Sequence, residues 1–318
     1  MRIALISLAA AFSWLAVGHV ERLCRGLGLA AAGRPERWRL DPTPRLGGLG
    51  FAPVFLLGSA LFEADAGLLL GGALMAMTGL VDDLRGLPPM AKLAGQVLAA
   101  GAGLALAGPA GPGEAAVRLA WLVAVPNALN MLDNMDGLAA GAAVVAALWL
   151  AALAPTNERG PCLLLAAATF GFWLRNRPRA TIFMGDTGSL FLGFALAWLG
   201  LRVFADPGGE ATVQTYGLAG LVLCAPLADG LATVVSRLWR GRRPWLGGAD
   251  HGSHRLARRG WRETWVMAMF CGVGLAGGAI ALAIRLSPGA AAWIAGSFCL
   301  GLGLWETWLH ASRSGSHG

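Results

Sequence analysis

Long apolar segments alternate with short polar ones along almost the whole chain. A helix needs about 20 mostly apolar residues to cross a hydrocarbon layer of about 30 Å, and eleven segments approach that length. They run approximately over residues 3–22, 47–63, 66–82, 91–108, 116–131, 137–154, 160–175, 188–204, 213–235, 264–284 and 289–309. The second, third, fifth and seventh are short, so the pattern predicts ten or eleven membrane-spanning helices.

The composition favours a membrane protein over a soluble one. Hydrophobic residues make up 56% of the 318 residues, a further 47 residues are glycine, and only 14% are charged. Soluble domains carry about 25% charged residues, so a soluble globule of this length could not cover its surface. We predict an all-α, polytopic helix bundle that forms one integral membrane domain over residues 1–318 and binds no nucleic acid. The first segment could also be a signal peptide, but many similar segments follow it, which favours a retained helix.

Basic residues accumulate on one side of the predicted bundle. Of the 25 lysines and arginines, 20 follow the first, third, seventh and ninth segments or lie at the C-terminus. The positive-inside rule places that side in the cytoplasm and the N-terminus outside. The loops on the opposite side contain six acidic residues, which we interpret by default as hydrated surface residues. They are Glu63, Asp65, Glu114, Glu158, Asp206 and Glu210.

The cytoplasmic side also holds carboxylates at the ends of apolar segments. Asp82 and Asp83 are adjacent and repel each other unless a cation intervenes. A solvated helix end is the alternative, but an acid at a membrane boundary is a functional candidate by default. Asp229 lies within the ninth segment, where a carboxylate is more unusual still.

Five amide or carboxylate groups occur in the ten residues 127–136. As a helix, this segment would place Asn127, Asn130 and Asn134 in one stripe and Asp133 and Asp136 on a neighbouring face. A helix-capping turn is the alternative, but a turn does not require five such groups. The segment is therefore a candidate site.

A third motif precedes the eighth segment, where Gly185 and Gly188 flank Asp186. Backbone N–H groups at such a helix start can hold an anion. Asp186 could cap the helix, or its carboxylate could hold a divalent ion that bridges phosphates.

The last long polar segment is rich in arginine and contains two histidines. A polybasic patch on the membrane surface is one interpretation; the histidines instead favour a site that reads a phosphate or a sugar. A zinc site is disfavoured because no cysteine or third histidine lies nearby. Acidic groups for a metal beside basic groups for phosphate are what phosphoryl transfer requires. The candidate residues here are Arg240, Arg243, His251, His254 and Arg255.

In their order, these motifs resemble those of the polyprenyl-phosphate N-acetylhexosamine-1-phosphate transferases. The resemblance covers roughly residues 40–260. The matching motifs are Pro44-Arg45-Leu46-Gly47-Gly48, Gly79-Leu80-Val81-Asp82-Asp83, residues 127–138, Phe183-Met184-Gly185-Asp186-Thr187-Gly188-Ser189-Leu190, Pro226 with Asp229, and the arginine–histidine loop.

The resemblance implies transfer of a sugar phosphate from a UDP-N-acetylhexosamine to a polyprenyl phosphate, with release of UMP. It implies Mg²⁺, with Mn²⁺ as the alternative ion. Asp186 would be the principal metal ligand, assisted by Asp83. The catalytic set would be Asp82, Asp83, Asp133, Asp136 and Asp186, and the substrate-binding set Arg45, Lys92, Asn127, Asn130, Gly185, Asp229, Arg240, Arg243, His251, His254 and Arg255.

Two departures from the family pattern concern the turn and the last loop. Asn134 stands where the family often has glycine, which predicts a different turn there, and the last loop lacks the histidine-rich signature of the pentapeptide transferases. The first-loop pattern Thr43-Pro44-Arg45-Leu46-Gly47-Gly48 also differs from that of the pentapeptide transferases. The two loop differences favour the N-acetylglucosamine branch over phospho-N-acetylmuramoyl-pentapeptide transferase. The remaining alternatives are a secondary transporter and a catalytically inactive scaffold. The resemblance implies a bacterial inner-membrane enzyme that acts early in cell-envelope glycan synthesis; whether it forms a homodimer stays open.

Overall fold

The computed structural model describes residues 2–31, 43–108, 110–206, 209–245, 247–287 and 295–305, and most of these residues are helical. The helices are α1 (Arg2–Gly26), α2 (Gly48–Ala60), α3 (Ala66–Arg85), α4 (Pro89–Leu106), α5 (Pro112–Leu132), α6 (Leu138–Leu153), α7 (Thr156–Asn176), α8 (Gly185–Phe204), α9 (Val213–Val222), α10 (Cys224–Trp239), α11 (Gly252–Arg258), α12 (Glu263–Leu286) and α13 (Ala295–Trp305). Two short antiparallel strands, β1 (Ala30–Ala31) and β2 (Thr43–Pro44), form the one sheet of the described residues.

The all-α membrane bundle predicted from the sequence is confirmed. Six described helices are long and apolar enough to cross a membrane, namely α1, α3, α4, α5, α8 and α12, and α9 with α10 makes a seventh if the bent pair counts as one span. Helices α2, α6 and α13 are apolar but shorter. Ten or eleven spans therefore stays a prediction. Much of the eleventh predicted segment, residues 289–309, lies outside the described residues.

Helix α8 forms the centre of the bundle. Nearly all of its residues are buried, and it packs against α3, α5 and α2. Aromatic rings fill the contact with α2 and α7: the ring of Phe51 lies 5.1 Å from that of Phe172 and 5.9 Å from that of Phe191. A helix buried on all sides fixes its own first turn firmly, and the Gly185–Asp186 motif lies in that turn.

The predicted ninth span, residues 213–235, is not one straight helix. The chain bends by 94° between α9 and α10 at Leu223. Pro226 lies in the first turn of α10 and contributes to the break, because proline has no N–H to donate to the carbonyl of Val222. Asp229 consequently lies on a helix that runs almost perpendicular to α9.

Candidate active site

Lys92 lies between two carboxylates from different helices. Its Nζ is 3.0 Å from Asp82 Oδ2 at the end of α3 and also contacts Asp186 Oδ2 in the first turn of α8. The Asp186 side chain remains 28% exposed and that of Asp82 12%, so solvent reaches the cluster. The contact confirms that motifs far apart in sequence meet at one end of the bundle.

Asn130 supplies the second side-chain contact to Asp186. Its Nδ2 donates to Asp186 Oδ1 at 2.7 Å and to Ser189 Oγ at 2.8 Å. Asn130 is near the end of α5, so three helices besides α8 orient the Asp186 region. Each carboxylate oxygen of Asp186 thus has a side-chain partner, and together the two partners fix the orientation of the carboxylate.

Asp83 caps the start of α8. Its Oδ1 accepts from the backbone N–H of Asp186 at 2.9 Å, and its Oδ2 accepts from the backbone N–H of Thr187 at 2.8 Å and from Thr187 Oγ1 at 2.7 Å. These bonds satisfy donors at the positive end of the helix. The geometry assigns Asp83 a positioning role, whereas Asp82 and Asp186 share the lysine.

Two glycines allow α8 to begin this close to α3 and to the first loop. A Cβ on Gly79 would clash with the backbone carbonyl of Asp186. Gly185 has a φ of +72°, and a Cβ there would clash with the carbonyl oxygen of Arg45 and lie 2.6 Å from Asp83 Oδ2. The predicted importance of Gly185 thus has a steric cause.

The Pro44–Gly48 motif packs directly on the Phe183–Asp186 segment. Phe183 N donates to Pro44 O at 2.7 Å, and the N–H of Gly47 donates back to Phe183 O at 3.0 Å. Gly48 N donates to Met184 O at 2.9 Å. Arg45 is thereby held next to Gly185, with a partly exposed side chain.

The segment over residues 127–136 is only partly helical, and the predicted stripe is wrong in its second half. Helix α5 ends at Leu132, and Gly137 has a left-handed φ of +72°, so Asp133, Asn134 and Asp136 lie in a turn. Asp133 forms the C-cap of α5. Asn134 Nδ2 donates to Met131 O at 2.8 Å, which ties the turn to the end of α5.

Asp136 and Asn176 join that turn to the segment before α8. Asp136 is buried, and its Oδ2 accepts from Ala180 N at 2.9 Å. Asn176 Nδ2 donates to Ile182 O at 3.0 Å, while its Oδ1 accepts from Gly137 N at 3.2 Å. The two side chains thus connect the turn after α5 to the segment that leads into α8.

Asn127 lies one turn deeper in the bundle than Asn130. Its Nδ2 donates to Gln96 Oε1 at 2.5 Å and to Val123 O at 2.7 Å, and Gln96 is 1% exposed. Gln96 follows Lys92 by one helical turn on α4. Asn127 therefore contributes to helix packing beneath the cluster, and substrate binding by it stays a prediction.

A buried carboxylate on α10 holds the histidine segment. Asp229 is fully buried; its Oδ2 lies 2.9 Å from His251 Nδ1, and its Oδ1 accepts from Gly252 N at 2.9 Å. Thr233 Oγ1 also lies 3.3 Å from His251 Nδ1. Asp229 thus fixes both the ring of His251 and the start of α11.

Arg237, two turns further along α10, makes a second attachment. Its Nη2 and Nε lie 2.7 and 3.0 Å from the two oxygens of Asp250, and its Nη1 donates to Pro244 O at 2.7 Å. Burial raises the pKa of the Asp250 carboxyl, but the hydrogen bonds and charge of Arg237 outweigh it and lower the pKa to about 2. The bridge is therefore fully ionised at neutral pH.

Helix α11 connects this loop to the turn after α5. Ser253 Oγ donates to Asn134 Oδ1 at 2.6 Å. His254 and Arg255 are buried, and the His254 ring lies 5.8 Å from that of His251. By contrast, Arg240 and Arg243 are exposed in the loop after α10.

The donor set around Lys92 suits a hard divalent ion that also binds substrate oxygens. Asp82 and Asp186 share Lys92, and the Asp83 carboxylate lies next to them at the start of α8. Within the described ranges, no three His, Cys, Asp or Glu side chains form a complete ligand set. Mg²⁺ commonly takes one or two protein carboxylates together with phosphates and water, so the residues present fit that ion.

Comparison with known proteins agrees with this geometry. The model of glycosyl transferase family 4 matches residues 66–204, which run from the start of α3 to the end of α8. A decaprenyl-phosphate N-acetylglucosaminephosphotransferase of Mycolicibacterium smegmatis is 31% identical over 92% of this chain and 85% of its own length. The chain belongs to glycosyl transferase family 4.

Two further relatives show the range of the family. The decaprenyl-phosphate N-acetylglucosaminephosphotransferase of Mycobacterium tuberculosis is 30% identical over 90% of this chain and 83% of its own length. A phospho-N-acetylmuramoyl-pentapeptide-transferase of Synechococcus sp. (strain RCC307) is 32% identical over 88% of each chain. The predicted resemblance to polyprenyl-phosphate hexosamine-1-phosphate transferases is thereby confirmed.

Sequence reasoning missed several residues of this family 4 site. Thr187 and Ser189 bond to the predicted site residues Asp83 and Asn130. Ser253 bonds to Asn134 in the candidate segment, and Asn176 bonds to Gly137 directly after it. Thr187 and Ser189 lie inside a quoted motif and could have been singled out as hydroxyl donors beside Asp186. Asn176 and Ser253 carried no signal, because single polar residues at helix ends are common.

Proposed function

We propose that this protein transfers N-acetylglucosamine 1-phosphate from UDP-N-acetylglucosamine to a polyprenyl phosphate and releases UMP. The observation that supports it most directly is the Asp82–Lys92–Asp186 cluster at the first turn of α8, in a chain of glycosyl transferase family 4. The cluster combines carboxylates for a metal with a lysine for phosphate oxygens.

Asp186 and Asp82 would hold Mg²⁺, or Mn²⁺ as the alternative ion. The bound ion would screen the negative charge of the diphosphate and act as a Lewis acid. Asp83 would act on both carboxylates indirectly, by fixing the first turn of α8. Removal of divalent ions by a chelator is expected to abolish turnover, and added Mg²⁺ to restore it.

Direct attack by the acceptor is the mechanism that the side chains favour. A phosphate monoester has a second pKa near 6 and is mostly dianionic at neutral pH, so it needs no general base. One of its oxygens forms a bond to the sugar-bearing phosphorus, and the bond from that phosphorus to the bridging oxygen breaks. The electron pair leaves with UMP, and total charge is conserved.

The carboxylates of the cluster are placed to orient substrates rather than to act as nucleophiles. Asp82 Oδ1 accepts from Leu87 N at 2.6 Å while its Oδ2 contacts Lys92, and Asp83 uses both oxygens on the helix start. Positioning two anions in line supplies much of the rate enhancement in such reactions. Incubation with donor alone should therefore leave no phosphorylated enzyme; trapping one would replace direct attack by an aspartyl-phosphate route.

The donor's sugar would lie near α11. His251, His254 and Arg255 are on or beside this helix, and Ser253 connects it to the turn that carries Asp133 and Asp136. We assign that turn to the nucleotide and diphosphate. The two mycobacterial-type relatives named as N-acetylglucosaminephosphotransferases, together with the loop pattern, support this sugar over the muramoyl pentapeptide.

The same proposal places the cluster on the cytoplasmic face of a bacterial inner membrane, with ten or eleven spans. The charge asymmetry of the loops supports this orientation. A secondary transporter is disfavoured, because transporters place their substrate sites near the membrane midplane whereas this cluster lies at helix ends.

An assay of the purified protein tests the proposal. Undecaprenyl phosphate and Mg²⁺ would be supplied with a panel of UDP-N-acetylhexosamines, and UMP and lipid-linked sugar phosphate measured together. We expect both products in equal amounts with UDP-N-acetylglucosamine. Turnover only with the muramoyl-pentapeptide donor would change the substrate, and vesicle uptake without UMP release would favour a transporter.

A further inference from the structure

Exposed tryptophans are concentrated in one short part of the chain. Four of the 13 tryptophans lie between residues 239 and 265, and all four are exposed, Trp239 by 88% and Trp265 by 64%. Trp245 and Trp261 are the other two. Indole rings combine a large apolar surface with one N–H donor. A cluster of exposed tryptophans therefore favours contact with a partner that has both an apolar part and a hydrated, polar part.

These tryptophans lie at the boundary of an apolar span. Trp239 is the last residue of α10, and Trp265 is in the first turn of α12, which has the highest mean hydropathy of the candidate spans, 2.1. Helix α11 holds the two ends together: it is attached to α10 through Asp229, and Trp261 N donates to Leu256 O at its other end. Tryptophans at the ends of spans are typical of the membrane–water interface.

Helix α10 has the reverse polarity of a helix on a soluble protein. Its polar residues Asp229, Thr233 and Arg237 are buried against the protein, whereas Leu231 and Leu238 are exposed by 66% and 58%. A face of this kind is stable only against other apolar groups. Because α10 runs almost perpendicular to α9, that face extends sideways from the bundle end that carries the site.

The polar part of the same surface is positively charged. Arg242 and Arg262 are exposed beside the tryptophans. Between residues 237 and 263 there are eight arginines and only two acids, and Asp250 is already neutralised by Arg237. Arginine near a membrane is attracted to anionic head groups, and its guanidinium group can bind phosphate in a bidentate manner.

We propose that Trp239, Trp245, Trp261 and Trp265, with Arg242 and Arg262, form an interfacial patch that binds an anionic phospholipid surface. The indole rings lie between the head groups and the acyl chains, and the two arginines bind head-group phosphates. This patch is separate from the Lys92 cluster and does not depend on the reaction that the protein performs. It anchors α10 and the loop that leads to α11.

Hydrogen exchange in lipid nanodiscs tests the patch without any activity measurement. The full-length protein would be placed in discs of phosphatidylcholine alone or of phosphatidylcholine with phosphatidylglycerol. We expect backbone amides of residues 240–245 and 258–265 to exchange several-fold more slowly with phosphatidylglycerol, and added salt to weaken that difference. Equal exchange in both discs would overturn the proposal, and because this arm uses the unmodified protein it does not depend on a variant folding.

Variants then separate the patch from general charge effects. R242Q/R262Q should lose the phosphatidylglycerol-dependent protection, whereas R159Q, an exposed arginine near the start of α7, should keep it. W239A/W265A should lose protection in both kinds of disc. If R159Q abolished the effect equally, or if inorganic phosphate in neutral discs reproduced it, the specific binding of an anionic lipid surface by this patch would be refuted.

Discussion

Each end of the bundle holds one cation between two acids, but the surroundings differ. At the site end, Lys92 contacts Asp82 and Asp186 and is only 18% exposed. At the opposite end, Arg202 pairs with Glu158 at 2.8 Å, lies 3.9 Å from Asp65, and is 44% exposed. Neither the presence of an ion pair nor its geometry therefore distinguishes a catalytic cluster from a structural one.

The opposite end also contains a cavity. A cavity of about 1230 Å³ is lined there by charged and apolar groups, including Glu114, Arg118, Glu158, Arg202 and Arg285. Its charges are largely matched locally, because Glu114 contacts Arg118 and Glu158 contacts Arg202. At the site end, Asp186 lies in the first turn of the buried helix α8 and shares Lys92 with Asp82. The position of the acids at this helix start, rather than cavity size, distinguishes the site.

The largest expected difference is between the two bridging cations. K92Q should lower turnover by roughly 10³-fold, since the phosphate oxygens lose a cation held in place before they arrive. R202Q should leave turnover within about twofold and lower stability by about 1 kcal/mol or less, as for a half-exposed ion pair. Initial rates and thermal unfolding of purified proteins measure both effects. Equal loss of activity in the two variants would refute the contrast.

The two helix-capping aspartates sharpen the comparison. Asp65 caps α3 at the opposite end, where its Oδ1 accepts from Gly67 N at 2.8 Å and from Leu68 N at 3.3 Å. Replacing a capping aspartate by alanine costs about 1 kcal/mol, so D65A and D83A should lower the free energy of unfolding to a similar extent. Only D83A should also reduce turnover, because it releases the first turn of α8. An unchanged rate per folded molecule in D83A would remove the positioning role of Asp83.

Substitution of the buried Asp229 should reduce turnover less than substitution of Lys92 does. Loss of a side chain that orients a functional histidine typically costs about 10-fold or more in activity. D229N should therefore lower turnover and raise the KM for the donor while leaving the KM for the acceptor unchanged. A T233V variant serves as a control at the same ring atom, where the contact is 3.3 Å, and should have the weaker effect. Equal changes in both KM values for D229N would indicate a general structural defect.

Much of this arrangement was predictable from residue types and order. The convergence of the Asp82, Asn130 and Asp186 motifs at one end is confirmed, because alternating helix directions bring these ends together. The bend at Leu223 was not predicted, although Pro226 is visible in the sequence, since membrane helices tolerate proline without breaking. A proline leaves one backbone carbonyl without its helical partner. Whether the helix then breaks depends on neighbouring helices, which the sequence of one segment does not reveal.

The acids at the opposite end show a second limit of sequence reasoning. Hydration was the default explanation for Glu158, but its side chain is 11% exposed and paired with Arg202, which is 44 residues away. Similarly, both oxygens of Asp83 cap a helix that begins about a hundred residues later, which was not predicted, and metal binding by Asp83 stays a prediction. Partners so distant in the chain are set by tertiary packing, which local patterns do not encode.

The smallest expected effect is on the loop after α10. The folded-state pKa of Asp250, about 2, lies below the value near 3.9 of an unfolded aspartate. Its bridge to Arg237 therefore stabilises the loop fully above about pH 4 and loses that effect as the pH falls toward 2. Hydrogen exchange of residues 240–245 should be faster in D250N than in wild type throughout pH 5–8, by a constant factor. A difference that appeared only at one end of that range would contradict the assigned pKa.

The most direct test of the central claim follows the phosphate itself. Donor labelled at the sugar-bearing phosphorus would be supplied with polyprenyl phosphate and Mg²⁺ to wild type, D186N and E158Q, all shown to be folded. The Lys92-centred cluster predicts labelled lipid and unlabelled UMP with wild type and E158Q, and no labelled lipid with D186N. Transfer by D186N at the wild-type rate would contradict the assignment of the reaction to this end of the bundle.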